Sequence, residues 1–208
     1  MNLPNKISVC RICLIPLFVF FYLADFIPYG KLVAMLVFAI ACFTDFLDGH
    51  IARSRNLVTN LGKFLDSIAD KILVMSGLLL LIAVPIIPNG GTVAAPAIFP
   101  TYIGAIAGII ILAREFMVSA LRQIAATKNI VLAADMYGKV KAVFQFITLI
   151  YYFALAFMIE EFYYAIDGMA ITILSVVGYV LLAITVVMTI VSGVKYLVNN
   201  KKVFKDAE

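Results

Sequence analysis

Long apolar runs recur along the whole sequence and limit its possible folds more than any other feature. Residues 72–87 illustrate them, because nearly every position is apolar and polar residues do not alternate with apolar ones. Membrane-spanning β-strands alternate with a period of two, so the runs predict helices. Apolar residues make up 64% of the chain and charged residues 13%, against about 45–50% and about 25% in soluble domains. These values exclude a soluble or disordered chain and predict an all-α integral membrane protein.

Hydropathy divides the chain into six predicted transmembrane helices that form a single domain, residues 1–208. A membrane helix needs about 20 residues, and turn-forming residues such as Pro28, Tyr29 and Gly30 separate the runs. The predicted spans are 7–27, 32–53, 61–87, 97–125, 138–160 and 165–198.

The basic residues are distributed unevenly between the two sides of this predicted bundle. With six spans, Lys31 lies on one side and every other residue of the 16 Lys and Arg lies on the opposite side. The positive-inside rule then predicts that both termini are cytoplasmic. Anchoring at lipid headgroups is an alternative explanation for several of these residues.

Three cysteines, Cys10, Cys13 and Cys42, all lie within apolar runs. Cys10 and Cys13 have the spacing of a metal-binding pair, but no second pair accompanies them. We therefore expect all three to be small buried apolar residues rather than metal ligands.

Four aspartates lie in the second and third predicted spans. Asp45 and Asp48 are three positions apart and Asp66 and Asp70 are four apart, so each pair shares one helix face. Acids in a membrane are costly and usually functional, and four clustered carboxylates repel one another unless cations bind. Oxygen ligands favour Mg²⁺, Mn²⁺ or Ca²⁺, and two divalent cations balance four negative charges. The facing pairs therefore predict a two-metal site.

Small residues and an arginine accompany the aspartates. Gly49, Ala52 and Gly62 remove side-chain bulk, while Arg53 offers a guanidinium fork to phosphate oxygens. The pattern is Asp45-x2-Asp48-Gly49-x2-Ala52-Arg53-x8-Gly62-x3-Asp66-x3-Asp70. It resembles the signature of the CDP-alcohol phosphotransferases at every signature position. The resemblance implies that family's fold of six transmembrane helices, a homodimer and two divalent cations, Mg²⁺ or Mn²⁺.

The same resemblance implies a role for each matching residue. Asp45 and Asp66 would contact both metals, Asp48 would hold one metal, and Asp70 would hold the other and act as general base. The residues implied to bind CDP-diacylglycerol lie near the start of the chain and around the signature: Asn5, Ser8, Gly49, Arg53 and Thr59.

Three further segments resemble the branch of the family that makes phosphatidylglycerol phosphate in the bacterial inner membrane, with its active site facing the cytoplasm. They are Met1-Asn2-Leu3-Pro4-Asn5-Lys6 with Arg11-Ile12, the stretch from Ala113 to Arg122, and Gly138-Lys139-Val140-Lys141. This branch transfers a phosphatidyl group from CDP-diacylglycerol to glycerol 3-phosphate and releases CMP. The predicted acceptor-phosphate ligands are Arg114, Arg122, Lys139 and Lys141. A structural ion pair with Glu115 is the alternative for Arg114, and interfacial anchoring is the alternative for Lys141.

Two other functions stay open. One is the same chemistry with serine, inositol phosphate or phosphatidylglycerol as acceptor, although the basic residues argue against serine. The other is a divalent-cation transporter, whose acids should line a path near the bilayer midplane, often in repeated halves. Here the acids cluster at one edge and no second half corresponds to them. Membrane lipids are expected partners, and no nucleic-acid partner is expected.

Overall fold

The computed structural model describes residues 3–54, 60–89, 91, 101–127 and 136–201, with side chains for 6–44, 62, 64–89, 91, 102–126 and 136–201. Within those ranges the chain forms α-helices and no strand. The helices are α1 (Leu3–Leu23), α2 (Gly30–Ser54), α3 (Asn60–Ala83), α4 (Thr101–Thr127), α5 (Met136–Phe162) and α6 (Gly168–Asn199). The all-helical prediction and the order of six helices are confirmed.

The first helix ends earlier than the sequence predicted. α1 stops at Leu23 rather than residue 27, because a series of turns follows it. Ile27 N–H donates to the Ala24 carbonyl and Gly30 N–H donates to the Ile27 carbonyl, each at 3.0 Å. A Cβ atom added to Gly30 would lie 2.8 Å from the Phe21 carbonyl oxygen, so the return of the chain toward α1 requires glycine.

The third helix also ends before its predicted limit of residue 87. α3 ends at Ala83, and Val84 makes the last helix-type contact by donating to the Leu80 carbonyl at 3.0 Å. Pro85 follows immediately, and a proline disfavours helical geometry in the residue before it. The predicted start of the fourth span, residue 97, lies outside the described residues.

Ion pairs show that successive helices are antiparallel. Arg11, early in α1, pairs with Asp66, early in α3. Lys31, at the start of α2, instead pairs with Glu160, near the end of α5. We call the end that holds the starts of α1, α3 and α5 the site end, and the opposite end the far end.

An aromatic cluster fixes the centre of the bundle. The buried rings of Phe18, Phe38 and Phe153 come from α1, α2 and α5, with centroids 5.0–5.2 Å apart. Such pairs contribute about 0.5–1.5 kcal/mol beyond the area they bury. Gly77 brings α3 close to this cluster, since an added Cβ would lie 3.2 Å from the Phe38 ring. The four helices therefore share one core.

Within the described part of the chain, four helices, α1, α4, α5 and α6, contain stretches long and apolar enough to cross a membrane. In α2, whose described side chains end at Thr44, the stretch Gly30–Thr44 is also apolar. α3 is interrupted by Asp66, Asp70 and Lys71 in its first half. Large apolar side chains also cover the outer face of α6, where Val187 and Val198 are each 58% exposed. The protein is therefore a multi-pass membrane protein.

The prediction of buried cysteines is wrong for two of the three. Cys10 and Cys13 are exposed on α1, and Cys42 is half-buried on α2. Val9, Leu17 and Phe20 are also exposed on α1, so this helix presents apolar side chains away from the protein. Lipid tails are as apolar as a protein core. An apolar run therefore does not indicate whether its cysteines contact lipid or the protein core.

Candidate active site

α3 carries two of the predicted metal ligands at the site end. Asp66 and Asp70 are half-buried and one helical turn apart, so their carboxylates share a face. Asp66 accepts a hydrogen bond from Arg11 Nη1 at 3.1 Å. Asp70 interacts electrostatically with Lys141 of α5. Both predicted ligands are therefore next to positive charge from another helix.

Arg11 is a site residue to which the sequence analysis gave no role. Its side chain is 0% exposed, whereas that of Asp66 is 50% exposed, so the arginine supports the carboxylate from the protein side. Ser8, a predicted CDP-diacylglycerol contact, is also buried and lies one turn before Arg11 on α1. A lone arginine within an apolar run was the signal available in the sequence, but its partner is 55 residues away.

The remaining signature residues fall partly outside the described structure. Asp45, Asp48, Gly49 and Arg53 lie in α2, which is one continuous helix to Ser54 and contacts α3, but their side chains are not among those described. The side chain of Asn5, in α1, also lies outside the described set. Thr59 lies outside the described residues altogether.

The described carboxylates fit part of a divalent-cation site. Among the described side chains, no group of three or more acidic, histidine or cysteine residues could hold a metal ion. Asp66 and Asp70 supply two oxygen donors, and oxygen donors are what Mg²⁺ and Mn²⁺ prefer. α2, the helix that contains Asp45 and Asp48, contacts α3.

A second polar cluster joins α4, α5 and α6 at the site end. Lys141 Nζ donates to Glu115 Oε1, and Arg114 Nη1 donates to the same oxygen at 3.2 Å. Arg114 Nη2 donates to Ser192 Oγ on α6. The Arg114–Glu115 ion pair that the sequence suggested as an alternative is therefore present. Lys141 is 1% exposed, which excludes the alternative that it anchors the helix at lipid headgroups.

The other two predicted acceptor ligands are exposed. Arg122 donates from Nε to the Tyr196 hydroxyl at 3.3 Å, and its guanidinium lies 5.6 Å from that ring's centroid. Lys139 is exposed near the start of α5. The four predicted cations thus divide into an exposed pair and a less exposed pair, in which Lys141 is buried and the Arg114 side chain is 11% exposed.

Two groups of side chains share one electrostatic environment. They are the acidic face of α3, formed by Asp66 and Asp70, and the basic cluster, formed by Arg114, Glu115 and Lys141. Lys141 interacts with both Glu115 and Asp70, and Glu115 also interacts with Lys71 of α3. The Lys71 ammonium group donates to the Ser67 carbonyl at 2.9 Å and to its hydroxyl at 2.7 Å. Carboxylates that can bind cations thus lie beside cations that can bind phosphate.

Comparison with known proteins identifies the family to which this site belongs. Residues 1–191 match the family described as CDP-alcohol phosphatidyltransferase. The chain belongs to this family. This match confirms the family that the aspartate pattern resembles. Members of the family are phosphatidyltransferases and generally depend on divalent cations.

Several relatives share one name, CDP-diacylglycerol–glycerol-3-phosphate 3-phosphatidyltransferase. The relative from Bacillus subtilis is 40% identical over 67% of this chain and 70% of its own length. The relative from Rickettsia bellii is 34% identical over 98% of this chain and 97% of its own length. The relative from Rickettsia felis has the same identity and coverage as the one from Rickettsia bellii.

Proposed function

We propose that this protein transfers the phosphatidyl group of CDP-diacylglycerol to glycerol 3-phosphate, releasing CMP and forming phosphatidylglycerol phosphate. The observation that carries the proposal is the electrostatic interaction between the acidic face of α3 and the basic cluster. Lys141 interacts with Asp70 on the acidic face and with Glu115 in the basic cluster. An enzyme that transfers a phosphatidyl group from a diphosphate to a phosphorylated alcohol needs such a pair of sites side by side. Relatives named for this activity match nearly the whole chain.

We assign the metal ligands to α2 and α3. Asp45 and Asp66 would contact both of two cations, Mg²⁺ or Mn²⁺, while Asp48 would hold one and Asp70 the other. Bound cations of this kind neutralise the anionic substrates and stabilise the attacking and leaving oxygens. Arg11 keeps the Asp66 carboxylate in place through the bond at 3.1 Å.

The chain's own residues perform the other steps. The primary hydroxyl oxygen of glycerol 3-phosphate bonds to the phosphorus that carries diacylglycerol, and the bond from that phosphorus to the CMP oxygen breaks. Asp70 accepts the hydroxyl proton as general base. The residues proposed to bind and orient the CDP-diacylglycerol headgroup are Asn5, Ser8, Gly49, Arg53 and Thr59.

Four basic residues are proposed to bind the acceptor's own phosphate. Arg114 and Lys141 form the less exposed part of this subsite, and Arg122 and Lys139 form its exposed rim. Guanidinium and ammonium groups make strong charge-assisted hydrogen bonds to phosphate oxygens. This positive charge favours glycerol 3-phosphate over an uncharged acceptor.

In the proposed topology, residues 1–208 form one domain of six spans with both termini in the cytoplasm of a bacterium. All but one of the 16 Lys and Arg residues then face the cytoplasmic side of the inner membrane, as does the active site. The lipid substrate keeps its acyl chains in the bilayer while its nucleotide is polar, so the site opens to both. A homodimer is part of the proposal.

The test uses purified protein in detergent with CDP-diacylglycerol, glycerol 3-phosphate and Mg²⁺. We expect release of CMP with formation of phosphatidylglycerol phosphate, loss of both in Asp66→Asn, and retention in the far-end control Asp25→Asn. Faster turnover with serine, inositol phosphate or phosphatidylglycerol than with glycerol 3-phosphate would overturn the proposed acceptor assignment. Absence of CMP release with every acceptor, together with metal flux into vesicles, would indicate a transporter instead.

A further inference from the structure

Glu115 lies where cations from three helices converge. Among the described side chains at the site end, it is the one acid that does not belong to the aspartate pattern. Its carboxylate accepts hydrogen bonds from Arg114 and Lys141 and interacts electrostatically with Lys71. It is 19% exposed, while Arg114 and Lys141 are 11% and 1% exposed. One carboxylate thus faces several largely buried cations.

The basic cluster contains more positive than negative charge. Burial of a lone lysine is costly, and one carboxylate suffices to offset the charge of Lys141. Arg114 brings a second positive charge to the same carboxylate oxygen. The three side chains therefore carry a net positive charge, which suits an anionic ligand.

The surroundings of Arg114 leave its side chain little freedom. A Cβ atom added to Gly138 would lie 3.3 Å from Arg114 Nη2, and one added to Gly193 would lie 3.2 Å from its Cγ. Ser192 of α6 accepts a hydrogen bond from Nη2 of the guanidinium. The arginine is thus enclosed by two helix positions without side chains and by two hydrogen-bond acceptors.

One donor of this arginine is not used within the protein. Arg114 Nε is buried and has no hydrogen-bond partner among the atoms described. A buried donor without a partner is unfavourable by about 1–3 kcal/mol in proteins. Arg114 is thus held in this position although one of its buried donors has no partner among the described atoms.

We propose that Glu115 and Ser192 are positioning residues for the acceptor phosphate: they hold Arg114 and Lys141 in place without touching the acceptor themselves. The inference rests on the proposed function, because it assumes that the acceptor carries a phosphate. It adds to that function two residues that set how tightly the acceptor binds.

The test measures steady-state kinetics with each substrate varied in turn for Glu115→Gln, Glu115→Asp and Ser192→Ala. Loss of a hydrogen bond to a charged group corresponds to roughly tenfold in affinity, so Glu115→Gln should raise the KM for glycerol 3-phosphate about tenfold. The KM for CDP-diacylglycerol should change by less than about twofold on the same scale. Glu115→Asp should raise the KM for glycerol 3-phosphate less than Glu115→Gln does. Ser192→Ala should also raise this KM by a smaller factor, again with little change in the KM for CDP-diacylglycerol.

Glu160→Gln is the matched control. Glu160 also pairs with a buried lysine, Lys31, but at the far end. This variant should lower the Tm while leaving both KM values unchanged. If Glu115→Gln behaves like Glu160→Gln, or raises both KM values equally, Glu115 has a structural role and the inference is overturned.

The outcomes separate the inference from the proposed function. Wild-type protein that releases no CMP with glycerol 3-phosphate overturns the proposed function. Wild-type protein that is active, with an unchanged KM for glycerol 3-phosphate in Glu115→Gln, overturns the positioning role alone. If Glu115→Gln does not fold, Ser192→Ala decides the question, since it removes a single hydroxyl group.

Discussion

The two ends of the helical bundle differ in how they balance charge. At the far end, Lys31 is the one cation among the described side chains, and its Nζ contacts Glu160 and lies 3.8 Å from Asp25. At the site end, the described cations outnumber the described acids. The cations are Lys6, Arg11, Lys71, Arg114, Arg122, Lys139, Lys141, Lys195 and Lys201, and the acids are Asp66, Asp70 and Glu115.

This difference indicates that charged residues stabilise the structure at the far end and bind a ligand at the site end. The far-end pair joins α2 to α5, and Asn89 adds a backbone bond of 2.8 Å to the Glu160 carbonyl. Positive charge there is compensated within the protein. Positive charge at the site end exceeds what the described acids compensate, so an anion can supply the remainder. Variants at the two ends should therefore affect different measurements.

The largest expected effect is at the site end, in Asp70→Asn. Loss of a general base typically slows catalysis by about 10²–10⁴-fold, so CMP release should fall at least that far. The Tm should change little, because asparagine has nearly the same shape. Asp167→Asn, at the start of α6 on the far end, is the control and should keep full activity. Residual activity above about a tenth of wild type would contradict the role given to Asp70.

The next effect is on stability and is located at the far end. Glu160→Gln leaves Lys31 buried without its close carboxylate partner, and breaking a buried ion pair in this way destabilises proteins by about 3–5 kcal/mol. Thermal or denaturant unfolding in detergent should show this loss, while kcat/KM should be retained. Glu161→Gln, one residue along the same helix, should leave stability unchanged. Equal loss of stability in both would mean that the ion pair does not join the helices.

A smaller effect on substrate selectivity is expected at the rim of the site end. Arg122→Ala or Lys139→Ala removes one cation from the proposed phosphate subsite, which should raise the KM for glycerol 3-phosphate about five- to tenfold. The KM for CDP-diacylglycerol should change less. Lys195→Ala provides a matched control, because Lys195 lies over the Tyr137 ring at the same end, 3.5 Å from its centroid. An equal effect of Lys195→Ala would show that only overall charge matters.

The smallest effect is expected between the two ends, where no charged side chain is involved. Thr148 of α5 and Thr185 of α6 share a buried hydrogen bond of 2.8 Å. Hydrogen bonds between membrane helices average about 0.6 kcal/mol, so Thr148→Val should lower stability by about that amount. Thr172→Val, which loses only an exposed bond within α6, should change it less. A loss comparable to that of Glu160→Gln would show that the uncharged middle of the bundle contributes as much as the far-end ion pair.

Much of the fold could be predicted because membrane helices are limited by length and hydropathy. The six helices appear in the predicted order, and Pro85 explains why α3 stops at Ala83. The end of α1 at Leu23 was missed, because apolar residues continue into the turn that leads to Gly30. Hydropathy reports whether a residue prefers an apolar environment, and it does not report whether the backbone there is helical.

The site could be predicted where its residues are close in sequence. Asp66 and Asp70 share a face because helical periodicity alone requires it. Pairs between distant residues could not be predicted, because they depend on how helices pack. Arg11 meets Asp66 across 55 residues, and Arg114 meets Ser192 across 78 residues. Nothing in the local sequence around Ser192 indicates a role.

The bond between Arg114 and Ser192 also bears on biosynthesis. A ribosome delivers α1 to α3, with the acidic face, well before it delivers Ser192, which lies late in α6. The arginine therefore acquires its last fixed neighbour only when the final helix is inserted. A nascent chain arrested before that point would carry the aspartates and the donor-binding residues but would not hold Arg114 in its final orientation.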